Sequence, residues 1–134
     1  FVREICVVDA RWANYGAGWP GTFGVPSLTA QSDPVLGTTL KVDLANSSGL
    51  PSVTLFVVGY QQASLHSSLG GDLLLIPSTT TLLLLPPGGT TLVTILPGDL
   101  SLAGFEIDSQ ALESDLGATK GVSFTAGLQL ILGG

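Results

Sequence analysis

The chain has 134 residues and a formal charge of −6, and only 10% of its residues are charged, against roughly 25% in an ordinary globular domain. That length suits one domain with a sizeable core and is too short for two ordinary ones. Arg3, Arg11, Lys41 and Lys120 are the only Lys and Arg, so there is no clustered basic footprint for nucleic acid or an anionic membrane surface, and no run approaches the roughly 20 apolar residues of a membrane span.

Residues 1–12 read FVREICVVDARW, with Val2, Cys6, Val8, Ala10 and Trp12 on one face at period two and Glu4 as the exception. The other face carries Phe1, Ile5 and Val7 with Arg3, Asp9 and Arg11. This alternation predicts a β-strand. Its charge sets it apart from the body, and the expected division is an N-terminal strand arm over residues 1–14 and a β-sandwich over 15–134. Such an arm either folds back onto its own sheet or inserts into a neighbour's. The chain begins at Phe1 and contains no Met, which points to removal of an initiator and a signal peptide, and so to export. A lone Cys6 forms no internal disulfide, and burial is its ordinary fate.

Residues 15–28, YGAGWPGTFGVPSL, are dense in Gly and Pro, which excludes a helix or a central strand and predicts an ordered loop. Tyr15, Trp19 and Phe23 punctuate it. Packing over one end of the core is the ordinary role for such aromatics, and a platform for a sugar ring or partner chain is the sharper one.

GAGWPGTFGVPSL resembles the GxGCPGTxGxPxL opening of a C-terminal β-sandwich module found in secreted proteins of planctomycetes and related bacteria. Further similarities follow in order: Pro34-Val35-Leu36-Gly37 resembles the module's PxLG, residues 55–59 its LxxxG strand, Leu69-Gly70-Gly71 its LGxG turn, and residues 104–115 its late strand with a central Gln, here Gln110. The resemblance covers about residues 15–134 and implies a sandwich fold and a secreted protein, with no settled activity. Where the module has a cysteine pair this chain has Trp19 and Asp72.

Leu40, Val42 and Leu44 alternate with Thr39, Lys41 and Asp43, predicting a half-buried strand. Asn46-Ser47-Ser48 fits a glycosylation sequon, a pattern common by chance. Residues 53–58 become apolar on both faces, as in a central strand. A polar connection with Tyr60, Gln61, Gln62 and the single His66 precedes strands over 72–76, 82–85 and 90–96, separated by Pro- and Gly-rich breaks. Phe105, Ile107, Ser109 and Ala111 are expected to face inward, with Glu106, Asp108 and Gln110 outward. Residues 109–116 are the one place suited to a helical turn. Val122, Phe124, Ala126, Leu128, Leu130 and Leu132 alternate through the last strand. Short strands at regular spacing predict an all-β protein, an antiparallel β-sandwich of jelly-roll or Ig-like type with an N-terminal strand extension.

Chemistry is sparse, and no catalytic residues are expected. A Ser-His-Asp site at His66 would need partners brought in from elsewhere in the fold. One His is too few for a transition-metal cluster. Paired carboxylates occur at Glu106/Asp108 and at Glu113/Asp115; the first pair shares one face of a strand, in the ordinary case the solvated one, and could otherwise present oxygens to Ca²⁺, the one cofactor suggested, or serve as the acid and base of a glycosidase. A nearly uncharged β surface is poorly defended against self-association. The expectation is a non-enzymatic extracellular structural subunit that polymerises with copies of itself, with Val2, Ile5, Cys6, Val7, Val8, Ala10 and Trp12 at the subunit interface. The alternative is a secreted module binding a cell-surface glycan through Tyr15, Trp19 or Tyr60.

Overall fold

The computed structural model describes residues 8–134 and is almost entirely β. Eleven strands form: β1 (Arg11–Tyr15), β2 (Leu28–Ala30), β3 (Thr39–Leu44), β4 (Ser52–Gly59), β5 (Gln62–His66), β6 (Asp72–Leu75), β7 (Thr79–Leu85), β8 (Thr90–Ile95), β9 (Glu106–Ser114), β10 (Val122–Phe124) and β11 (Gly127–Ile131). Sheet I runs in the order β1-β11-β9-β4-β7, with β10 also paired to β9. Sheet II runs β2-β3-β8. Every ladder among these named strands is antiparallel.

The sandwich follows from alternation. Leu40, Val42 and Leu44 of β3 are buried and face Leu128, Leu130 and Leu132 of the last strand region, with Leu28, Leu85 and Ala111 in the same core. Burying one such leucine stabilises by about 1.5–3 kcal/mol, so this two-sheet interface is what holds the layers together. Trp12, Phe56 and Ile107 pack at its margin.

The β5–β6 hairpin forms a third element against the other face of sheet I. The Gln110 carboxamide on β9 accepts from Leu74 N at 2.9 Å and donates to Asp72 O at 3.1 Å, and Tyr15 Oη donates to Leu74 O at 2.7 Å. Two glycines make the close approach possible. A side chain at Gly127 would collide with the Tyr15 ring, and one at Gly59 with the Ile76 carbonyl.

Three sequence expectations meet the structure here. Residues 109–114 continue strand β9, and the single short helical turn among the described residues is a 3₁₀ turn at Leu100–Leu102, capped by the Asp99 side chain accepting from Ser101 N. Asp108 and Gln110 do point away from the main core, but that face is covered, and both are fully buried. The boundary expected between residues 14 and 15 falls inside β1.

Candidate functional site

Val8, Ala10 and Trp12, expected at a subunit interface, lie against the chain's own sheet. Trp12 pairs with Leu130 in the β1–β11 ladder, and Val8 O accepts from Gly134 N at 3.1 Å. One edge of β1 is thus paired with β11, and on its other side Asn14 Nδ2 donates to Leu28 O of β2 at 2.8 Å. Val2, Ile5, Cys6 and Val7 fall outside the described residues.

The three candidate ligand-binding aromatics do not converge. Tyr15 lies over Gly127 with its hydroxyl committed to Leu74 O. Trp19 packs against Gly70, Gly71 and the region of Phe124, and its backbone bridges to Phe124 through bonds of 2.9 and 3.0 Å. Tyr60 alone stands in solvent, tilted at 47° against the exposed Phe105 ring with centroids 5.5 Å apart. Beside it is a shallow groove bordered by Gln61, Ile76, Pro77 and Ser78.

His66 meets Asp72 at 3.3 Å at the exposed end of the β5–β6 hairpin. The Ser67 hydroxyl donates to Gly71 O instead. Asn46, the sequon residue, is committed to structure: Nδ2 donates to Leu50 O at 2.6 Å and Pro86 O at 2.9 Å, while Oδ1 accepts from Ser48 N at 2.8 Å.

Glu113 and Asp115 are buried. Burial would raise the Asp115 pKa, but hydrogen bonds from Ser47 Oγ, Thr22 Oγ1, Thr22 N and Gly117 N outweigh it and hold the carboxyl down at about 2. Glu113, on the core face between Thr54 and Ser123, receives only Ser47 N, at 2.9 Å, and its Oε2 has no partner. Burial therefore pushes its pKa up to about 7, with the nearby Asp115 adding to the rise. This knot ties the 16–24 loop, the 45–51 loop and β10 together; its polarity reads as architecture.

Asp108 is the other buried acid. Its pKa is also pushed up to about 7, by burial first and then by Glu106, with Gln62 opposing. Among the described residues no group of three or more His, Cys, Asp and Glu side chains gathers as a metal cluster.

The most extensive exposed feature is a surface. Between Asp43 and Asp99 the only Asp, Glu, Lys or Arg is Asp72. That stretch supplies β4 through β8, and of these strands only β6 carries an Asp, Glu, Lys or Arg. β7 ends sheet I and β8 ends sheet II. From these edges Leu82 (70% exposed), Leu84 (73%), Val93 (60%) and Ile95 (79%) project into solvent. On sheet I, Val53, Leu55, Leu69, Leu82, Leu112 and Val122 line a shallow apolar depression of about 220 Å³. Low charge was legible in the sequence; that it collects on two open edges was not, since strand order is invisible to alternation. Among the described residues no helix is long and apolar enough to cross a membrane. Comparison with protein-family models, curated proteins and solved structures gives no match.

Proposed function

We propose that this chain is an extracellular structural subunit that assembles with copies of itself through the β7 edge of sheet I. The observation that supports this reading is β7, a seven-residue edge strand, TTTLLLL, that carries neither charge nor proline. Soluble monomers normally blunt such an edge with Lys, Pro, a bulge or a covering loop, because its free N–H and C=O groups template another strand. The strand-patterned segment 1–7 of a neighbouring copy is the donor in this reading, since β1 is already occupied by β11. Main-chain hydrogen bonds supply the affinity, and alternate side chains set the register.

Light scattering and electron microscopy of the intact chain test this. Ordered assemblies that disappear when residues 1–7 are removed fit the proposal, and assemblies that persist without them refute the donor role.

A glycan-binding reading rests on the exposed Tyr60–Phe105 pair. It predicts saturable binding of an oligosaccharide that Tyr60→Ala weakens, while Trp19→Ala acts through stability.

A further inference from the structure

Asp108 is 0% exposed, and among the described residues neither of its carboxylate oxygens has a hydrogen-bond partner. An ionised carboxyl in that position costs several kcal/mol unless something replaces the lost water. Among the described residues no cation does so. The one ion pair among the described residues is His66 with Asp72, and Arg11, which shares a row with Glu106 across Ile131, forms none.

The side chains placed next to Asp108 are polar. Register places it between Gly59 of β4 and Gln129 of β11, with Glu106 on the same face of β9. Glu106 and the Gln62 side chain approach its carboxyl, neither with hydrogen-bond geometry. The Ile76 carbonyl is seated over Gly59 in the neighbouring position. Two carboxylates, two carboxamides and a backbone carbonyl lie around this position and can offer oxygen ligands, with none of the His and Cys that softer metals prefer.

We propose that Asp108, with Glu106 and Gln62, anchors a Ca²⁺ site on the outer face of sheet I beneath the β5–β6 hairpin. The cation supplies the positive charge that both orphaned oxygens lack. Ca²⁺ fits better than Mg²⁺, which demands a near-octahedral shell and keeps several waters that this covered position does not accommodate. Binding ties β9 to Gln62 of β5 and so fixes the hairpin on the sheet. The inference is independent of the assembly proposal.

The test is calorimetric titration of the intact, chelator-treated chain with CaCl₂ at pH 7.5, with thermal melting in parallel. The expected result is saturable heat with a Kd on the order of 10⁻⁴ M, as in extracellular modules. The melting temperature should rise with Ca²⁺ and not with NaCl of equal ionic strength or with equimolar MgCl₂. Asp108→Asn should abolish the heat while melting no lower than the chelator-treated parent, which shows that it is folded. Glu106→Gln should weaken binding about tenfold. Absence of saturable heat, or an unchanged Kd in Asp108→Asn, overturns the proposal. So does a chain that ignores Ca²⁺ but gains stability on acidification through pH 7, because Asp108 then keeps a proton instead.

Discussion

Gln110 Oε1 accepts the Leu74 amide at 2.9 Å from within a fully buried position, and Gln110 Nε2 donates to Thr125 O at 3.0 Å. One side chain on β9 thereby satisfies backbone groups of the β5–β6 hairpin on one side and of the segment joining β10 to β11 on the other. Replacing it with Leu preserves volume but orphans those groups. Gln110→Leu is expected to cost about 3 kcal/mol, read as a lower urea midpoint. A loss within about 0.5 kcal/mol would mean that water substitutes for the carboxamide.

The buried acids set the pH dependence. Glu113 has its pKa raised from 4.5 to about 7, so its contribution is complete below about 4.5 and is lost as pH rises through 7. Asp108, raised from 3.8 to about 7, acts in the same direction. Asp115 is opposite: lowered from 3.8 to about 2, it contributes above 3.8 and fails only as pH falls through 2. In the presence of chelator, stability should therefore decline between about pH 5 and pH 8. Glu113→Gln should reduce that decline and gain on the order of 1 kcal/mol at pH 8. A variant with the parent's slope would contradict the assignment.

Asn46 holds the turn after β3 and reaches the Pro86 carbonyl after β7. Asn46→Ala should cost about 2 kcal/mol by chemical denaturation. Expressed in a glycosylating host, the folded chain should show no added mass at Asn46, because its amide nitrogen is occupied. A glycosylated chain of undiminished stability would contradict that role.

Strands β3 and β11 and the sandwich class were legible because Leu40/Val42/Leu44 alternate with polar residues and Leu128/Leu130/Leu132 recur at period two. The strand at Arg11 and Trp12 was legible for the same reason, but periodicity cannot name a partner, and it turned out to be β11. The second face of β9 was misread: Asp108 and Gln110 look solvated by alternation alone. A hairpin covers them, and the signals that could have shown it are Gly59 and Gly127, which leave room on the adjoining strands for Ile76 and Tyr15. Residues 109–116 suggested a turn because Ser, Gln and Glu favour one locally, yet pairing with β4 and β11 overrides that preference.

The assembly surface rests on side chains already in solvent, so it can be altered without disturbing the core. Leu82→Lys and Leu84→Lys each should change stability by no more than about 0.5 kcal/mol, as expected for exposed positions. Introduced on the β7 edge, each charge should oppose strand addition.

The most direct measurement is the size distribution of the intact chain and of its Leu82→Lys/Leu84→Lys double variant, by light scattering and negative-stain electron microscopy at matched concentration. Edge-mediated assembly predicts filaments or large ordered particles for the parent and monomers for the variant, both with the same β-sheet circular dichroism. A monomeric parent, or a variant that assembles equally well, would contradict it.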